Sequence, residues 1–178
     1  TVNSFPISTY CSSITVLATT FAGNVTGTTY NWTNNNTSIG VANSGSNTVP
    51  SFNASNNGTW PISGVITITP TANSCIGTPT SYTIGVNPIP NVNAIASGTY
   101  CAGINVPTTN LTGSVTSTTF DWSNTNTAIG LTNLGTGNIP SYTAANSTAS
   151  GILGVITVTP SANACIGTPI NYTVVVNP

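Results

Sequence analysis

The chain repeats itself with a constant offset of 90 residues. The segment GVITITPTANSCIGTPTSYTIGVNP runs to Pro88, and its near copy GVITVTPSANACIGTPINYTVVVNP runs to Pro178. Aligned without a gap, residues 1–88 and 91–178 are identical at 44 of 88 positions. Self-similarity of this kind marks an array of like units, and each unit is long enough for its own small core. We therefore expect two domains, residues 1–88 and 89–178.

The two units are joined by the short linker NPIPN, residues 87–91. Proline fixes its own backbone and restricts the residue before it. Pro88 and Pro90 therefore favour an extended and fairly stiff connection, and we expect the linker to hold the two units in a nearly extended arrangement.

Apolar side chains alternate with polar ones in several short segments of each unit. In ITIT, the two isoleucines share one face and the two threonines share the other. This two-residue period is typical of a strand with one buried face, and no segment shows the period of an amphipathic helix. The residues expected on inward faces are Ile14, Val16 and Ala18, Tyr30 and Trp32, Ile66 and Ile68, and Tyr82, Ile84 and Val86.

The number and spacing of these segments predict an all-β fold. About seven short strands per unit, with turn residues every 8–12 positions, indicate an immunoglobulin-like β-sandwich in each unit. Four large aromatic residues at positions matched between the units are expected in the two cores. They are Trp32, Trp122, Tyr82 and Tyr172.

Charge is almost absent from the chain. It has no Lys, Arg or His, and Asp121 is its one acidic residue. Catalysis by acids and bases, metal binding and nucleic-acid recognition depend on those residue types, so we expect no enzyme, no cofactor, no metal and no nucleic-acid partner. Because Asn31 replaces Asp121 in the first unit, we interpret Asp121 as a solvent-facing strand residue. No apolar run approaches the ~20 residues of a membrane-spanning helix, and no membrane insertion is expected.

Three segments recur in both units, a Y-x-W or F-x-W strand, the stretch around ITxTPxANxCxGTP and the closing YTxxVNP. Their marker residues, each with a partner ninety positions on, are Trp32, Pro70, Cys75, Gly77, Pro79, Tyr82 and Pro88. These motifs resemble the PKD-like (polycystic-kidney-disease-type, immunoglobulin-like) tandem repeats of large secreted surface proteins of Bacteroidota. The resemblance covers both units and implies extracellular arrays used as stalks, spacers and adhesins, without catalysis. The turn after the tryptophan, which is acidic in ordinary PKD domains, reads TNNNTS and SNTNTA here.

Each unit has two cysteines at matched positions. Neither pair has the close spacing of zinc ligands or the C-x-x-C pattern of a redox pair. We expect a disulfide within each unit, Cys11–Cys75 and Cys101–Cys165, packed near the core tryptophan. Closing a loop of about 65 residues is worth roughly 4 kcal/mol and would indicate an oxidising, extracellular compartment. The alternative is a bond between units or between chains.

Some surface candidates differ between the units. Trp60 is matched by Ser150, and we expect either a half-buried loop aromatic or a contact with another subunit or a sugar. Leu134 and Leu153 replace serines of the first unit and would give the second unit an apolar face for assembly. Nine Asn-x-Ser/Thr sequons are about what chance gives in so Asn- and Thr-rich a chain. Glycans are therefore expected on the exposed Thr, Ser and Asn side chains, but the sequence assigns them to no particular residue.

These features together predict a structural protein. Near-zero charge and strand edges without lysine leave little to oppose association, so we expect a homopolymer or a longer tandem array at the cell surface. It would form a stalk, adhesin shaft or filament by head-to-tail arrangement, in one version by adding a terminal segment such as residues 1–5 to a neighbour's sheet. The alternative is a polysaccharide-binding module that uses exposed aromatics such as Trp60.

Overall fold

The computed structural model of the protein describes residues 2–178 and is built from β-strands. The chain forms two compact units, one ending at Pro88 and the other beginning at Ile89. The described residues contain no α-helix, and each unit has a single 3-10 turn, Thr37–Ile39 or Thr127–Ile129. Each unit is therefore an all-β domain.

The first unit has ten strands, several of them only two residues long. The longest strands are those in which apolar and polar side chains alternate most clearly in the sequence. The strands are β1 Ser8–Cys11, β2 Thr15–Val16, β3 Thr19–Thr20, β4 Thr29–Asn34, β5 Ser44–Ser46, β6 Thr48–Val49, β7 Phe52–Asn53, β8 Ile62–Ala72, β9 Cys75–Ile76 and β10 Thr80–Asn87.

The second unit has eight strands and repeats the same long elements ninety positions later. The strands are β11 Gly98–Cys101, β12 Asn105–Val106, β13 Thr119–Asn124, β14 Leu134–Thr136, β15 Tyr142–Thr143, β16 Ile152–Ala162, β17 Cys165–Ile166 and β18 Ile170–Asn177.

One large sheet dominates each unit. In the first unit its order is β1-β10-β8-β4-β5, with β9 paired to the end of β8, and in the second it is β11-β18-β16-β13-β14, with β17 on β16. The outer strands β1 and β11 run parallel to their neighbours, and the other pairs are antiparallel. Short pairs, β2–β7 and β3–β6 in the first unit and β12–β15 in the second, form the opposite layer. Each unit is a β-sandwich with its core between the layers.

The predicted alternation is confirmed in the long strands. In β8, Ile66 and Ile68 are fully buried while Val65, Thr67 and Thr69 are only partly covered. β4 and β10 show the same two-residue pattern, with their aromatic and branched side chains turned into the core. The buried residues shared by these strands are Tyr30, Trp32, Tyr82, Ile84 and Val86, and their counterparts include Trp122 and Tyr172.

The expectation that Ile14 and Ala18 share the inward face of Val16 is wrong, and Val16 alone of the three is buried. The segment forms two short strands, β2 and β3, and Ile14 is 51% exposed while Ala18 is also exposed. The cause is a tight turn immediately before it. Ser13 has a left-handed backbone, with φ of 70°, and the Ile14 amide donates to the Cys11 carbonyl. The turn places Ile14 outside the core and leaves Val16 as the inward residue.

Each core tryptophan lies on a glycine of the neighbouring strand. Trp32 pairs with Gly45 across β4 and β5, and a Cβ atom on Gly45 would lie 2.5 Å from the indole ring. The Trp32 indole N–H donates to the Thr48 carbonyl at 3.0 Å. Trp122 packs on Gly135 in the same way, but its indole nitrogen has no hydrogen-bond partner among the described residues. Glycine is therefore required opposite the tryptophan in both units.

A buried asparagine organises the turn after each tryptophan strand. The Asn34 side chain donates to the carbonyls of Asn36 and Val41 and accepts from the Asn36 amide. Asn124 makes the matching bonds in the second unit. Buried polar groups need such partners because an unpaired one costs about 1–3 kcal/mol. An amide thus holds the turn without any carboxylate.

The N-terminal segment packs on its own unit. The Asn3 amide donates to the Ala22 carbonyl, and Phe5 contacts Phe21 and Tyr82 with ring centroids 5.5 and 5.2 Å away. Thr1, part of the segment expected to add to a neighbour's sheet, lies outside the described residues. Strand addition by this segment would have to give up the Phe5 contacts, so the fold does not favour it.

Gly45→Ala should destabilise the first unit. The new methyl group would collide with a ring that is buried and hydrogen-bonded, and overpacking of this kind costs about 1–3 kcal/mol. Gly85→Ala is the matched control, because the atoms nearest to its Cβ would belong to the Thr9 side chain and the second unit carries Val175 there. Urea unfolding should show a loss for Gly45→Ala alone. Equal midpoints for the two variants would contradict the Trp–Gly contact as a constraint.

Candidate functional site: the two ends of each unit

The cysteines do not pair as the sequence predicts. Cys11 is in the oxidised, disulfide-bonded state and so is Cys165, whereas Cys75 and Cys101 are free and exposed. The expected bonds within the units, Cys11–Cys75 and Cys101–Cys165, are therefore wrong, and so is the expectation that each tryptophan packs near such a bond.

The large sheet explains why the expected bonds cannot form. Cys11 is level with Asn87 at the end of β10, beside the start of β8. Cys75 is paired with Ala72 at the other end of β8. Ten steps along a strand of about 3.3 Å each separate these ends by roughly 33 Å, whereas a disulfide joins Cα atoms no more than about 7 Å apart. The two cysteines of one unit lie at opposite ends of its sheet.

We call the two ends of each large sheet the exit end and the hairpin end. The exit end carries Cys11 in the first unit and Cys101 in the second, next to the last strand residues Asn87 and Asn177. The hairpin end carries Cys75 or Cys165. There the long central strand turns back through a two-residue hairpin whose residues have positive φ, Asn73 and Ser74 or Asn163 and Ala164, as a type I′ turn requires.

The chain enters the second unit at its hairpin end. The carbonyl of Pro90 lies against Gly167, two residues beyond Cys165. The Asn91 side chain accepts hydrogen bonds from the amide and hydroxyl of Ser114. Because the last strand finishes at the exit end, the unit receives the chain at one end and releases it at the other. Each end is therefore chemically distinct.

An exposed isoleucine lies beside the cysteine at both kinds of end. At the hairpin end, Ile76 is 76% exposed and Ile166 is similarly exposed. At the exit end, Ile104 is 53% exposed, like its counterpart Ile14. The sequence analysis missed Ile76 and Ile166 and placed Ile14 in the core. The available signal was their match at the 90-residue offset, next to a cysteine, outside any alternating segment.

Trp60 lies at the exit end of the first unit and is 64% exposed, more than the half-buried position considered from the sequence. Its backbone is fixed, because the buried Asn56 side chain donates to the carbonyls of Trp60 and Val86. The indole is thus presented to solvent from an ordered loop.

Leu134 and Leu153 are both exposed, and the second unit has a more apolar surface than the first at these two positions. Leu134 is in β14, which is the outer strand of its sheet. Leu153 is in β16 and is paired with Val175 of β18. The two leucines lie on different strands, separated in the sheet by β13, and do not form a neighbouring pair.

The described residues offer no metal-binding cluster of three or more His, Cys, Asp or Glu. Asp121 is exposed in β13, paired with Thr136 and Thr159. In the same part of the chain, no helix is long and apolar enough to cross a membrane.

Tyrosines are the main buried titratable groups. Burial raises the pKa of Tyr82 to about 12 and the pKa of Tyr142 to about 12, and it also raises the pKa of Tyr172. These hydroxyls are neutral in the folded protein under all ordinary conditions and serve the cores rather than acid–base chemistry.

No protein-family model matches the sequence, and no curated protein matches it. Among solved structures, a three-domain immunoglobulin fragment of titin, an E-to-A mutated variant, is 12% identical over 97% of this chain with a TM-score of 0.50, and the chain spans 62% of that structure. A crystal structure of domains Ig1 and Ig2 of DIP-gamma is 12% identical, covers 99% of this chain and 96% of its own, and has a TM-score of 0.47. The likeness to titin shows the fold alone, tandem immunoglobulin-like β-sandwiches, as predicted.

The stability of the protein should fall at alkaline pH. An unfolded tyrosine ionises near pH 10, whereas Tyr82 and Tyr142 keep their protons to about pH 12 when folded. Between these values the unfolded state releases protons that the folded state retains, so the free energy of unfolding declines as pH rises, by at most about 2.7 kcal/mol for each tyrosine.

Urea unfolding at pH 8 to 11.5 would measure this decline. Tyr82→Phe removes one of these tyrosine hydroxyls and should make the decline shallower. An unchanged slope in that variant would show that Tyr82 ionises equally in both states.

Proposed function

We propose that the chain is a structural extracellular repeat that builds a surface stalk, adhesin shaft or filament by head-to-tail arrangement of its units. The observation that carries this proposal is the polarity of the unit, which has the hairpin end and the exit end on opposite ends of one sheet. Units with two different ends can be added in one direction without limit.

The surface of the large sheet supports this role. Its outer face presents Thr, Ser and Asn side chains that bond to each other across strands, as in Ser46 to Asn31 at 2.9 Å and Thr67 to Ser81 at 3.0 Å. Such a face is neutral and well hydrated. It also lacks the lysine and arginine at which trypsin cleaves, which suits a long-lived structure outside the cell.

The disulfide-bonded cysteines support an extracellular location. Disulfides persist in oxidising compartments and are rare in the cytosol, and Cys11 and Cys165 are both oxidised. The resemblance to PKD-like repeats of Bacteroidota surface proteins points to the same compartment. The proposal therefore includes that both units are PKD-like repeats and that they serve in an adhesin.

A polysaccharide-binding module is the second candidate, favoured by the exposed Trp60. Exposed indoles are common anchors for sugars and partners, but the second unit has serine at this position. Trp60→Ser reproduces the sister residue and provides the test. A sugar-binding site would lose retention in affinity electrophoresis through polysaccharide gels, whereas a structural repeat would migrate unchanged.

Fibres should form in a manner that is nearly independent of salt. Contacts between neutral surfaces are not screened, so negative-stain microscopy at about 50 mM and about 1 M NaCl should show linear assemblies in both. Discrete particles of uniform size at high protein concentration, in both conditions, would contradict assembly of this chain into a polymer.

A further inference from the structure

One asparagine of the chain is followed directly by a glycine. The chain has 25 asparagines, and of these only Asn57 precedes a glycine, Gly58. The backbone nitrogen of the residue after an asparagine lies close to the side-chain carbonyl carbon and can attack it within the same molecule. Glycine has no Cβ atom to obstruct this approach. Asn57 is therefore the asparagine at which the sequence hinders cyclisation least.

The structure leaves the Asn57 side chain free to react. Residues 57–60 are all exposed and lie outside any strand, in the loop between β7 and β8. Among the described residues, none is hydrogen-bonded to the Asn57 side chain. An exposed and unbonded side chain in a loop can rotate into the conformation that cyclisation needs, and a strand backbone would prevent this.

The neighbouring Asn56 side chain restrains the attacking nitrogen. Asn56 is buried, and its side-chain nitrogen donates to the carbonyls of Trp60 and Val86. Its Oδ1 atom accepts from the Gly58 amide at 2.9 Å, in the turn that asparagine forms with the backbone two residues on. This last bond must open before the Gly58 nitrogen can attack Asn57. Cyclisation is therefore slow in the folded unit.

The matched loop of the second unit has no such pair. It reads Asn-Ser-Thr where the first unit reads Asn-Asn-Gly. The Asn146 side chain holds this loop as Asn56 does in the first unit, by donating to the carbonyls of Ser150 and Val176. The same loop therefore folds without a reactive pair, and the fold does not require Asn57.

We propose that Asn57 is a self-modification site, at which the protein slowly converts its own asparagine to aspartate and isoaspartate. The Gly58 nitrogen attacks the Asn57 Cγ atom, the new C–N bond closes a cyclic imide, and the side-chain nitrogen leaves as ammonia. The Gly58 amide proton passes through solvent to the leaving nitrogen.

Water then opens the imide at one of its two C–N bonds. Cleavage at Cγ gives aspartate, and cleavage at the main-chain carbonyl carbon of Asn57 gives isoaspartate. The conversion consumes one water, releases one ammonia and involves no oxidation or reduction. It needs no enzyme and no partner.

The product changes the charge of the loop that presents Trp60. A carboxyl group in water is ionised at neutral pH, so the conversion takes the formal charge of the chain from −1 to −2. Isoaspartate also adds one carbon to the main chain between Asn56 and Gly58, the two residues that the turn bond joins. A long-lived protein would therefore acquire charge with age at a defined surface position, whether or not it assembles.

Ageing of the purified full-length chain in mildly alkaline buffer tests the proposal. Isoelectric focusing should show one new, more acidic species. Peptic digestion in acid and tandem mass spectrometry should place the conversion of asparagine to aspartate at Asn57, and the methyltransferase specific for isoaspartate should label the same peptide. A chain that yields no acidic species, or one whose conversion maps to another asparagine, would overturn the proposal.

Two variants that carry second-unit residues identify the reacting groups. Asn57→Ser should abolish the acidic species. Gly58→Thr retains the asparagine and should slow the conversion about tenfold or more, because a β-branched side chain is bulky next to the backbone nitrogen. Asn171→Ser, at an exposed position in β18, is the control and should leave the rate unchanged. Equal rates in Gly58→Thr and the wild-type chain would overturn cyclisation through Gly58.

Unfolding the chain tests the restraint by Asn56. In concentrated guanidinium chloride the bond between Asn56 and the Gly58 amide is lost, and conversion at Asn57 should become severalfold faster than in the folded protein at the same pH. An equal or slower rate in the denaturant would contradict the assigned role of Asn56.

Discussion

The eleven-residue central strand, β8 in the first unit and β16 in the second, determines the geometry on which the rest depends. It pairs with three other strands and places Ile66 and Ile68, or Ile156 and Val158, in the middle of the core. Its length separates the two ends of the unit by roughly 33 Å. Each unit therefore has one cysteine at each end of its sheet. The two are too far apart to form a disulfide with each other.

The near absence of charge leaves the units to be held by packing and neutral hydrogen bonds. The Trp–Gly contact positions β5 against β4, and the buried Asn34 holds the following turn by neutral hydrogen bonds. On the surface of each unit, the same composition leaves apolar side chains and neutral polar groups as the groups available for contacts. Such groups interact at short range and with little dependence on salt.

Local sequence pattern predicted much of the fold but not the state of the cysteines. Alternation identified Trp32, Ile66 and Tyr82 as inward residues because the strand period is a local property of the sequence. The turn at Ser13, with its positive φ, broke that pattern and exposed Ile14. Cysteine pairing could not be deduced in this way, because four cysteines allow three connectivities and the choice depends on which ends of the sheet the residues reach. The matched exposure of Ile76 and Ile166 was signalled only by their repetition.

Disulfide mapping of the monomeric, unreduced protein by mass spectrometry tests the separation of the two ends of each unit most directly. Chymotrypsin or pepsin must replace trypsin, since the chain has no Lys or Arg. We predict that no linked peptide pair joins Cys11 to Cys75 or Cys101 to Cys165, because the two cysteines of a unit lie at opposite ends of a strand of roughly 33 Å. A linked pair of either kind would contradict this geometry.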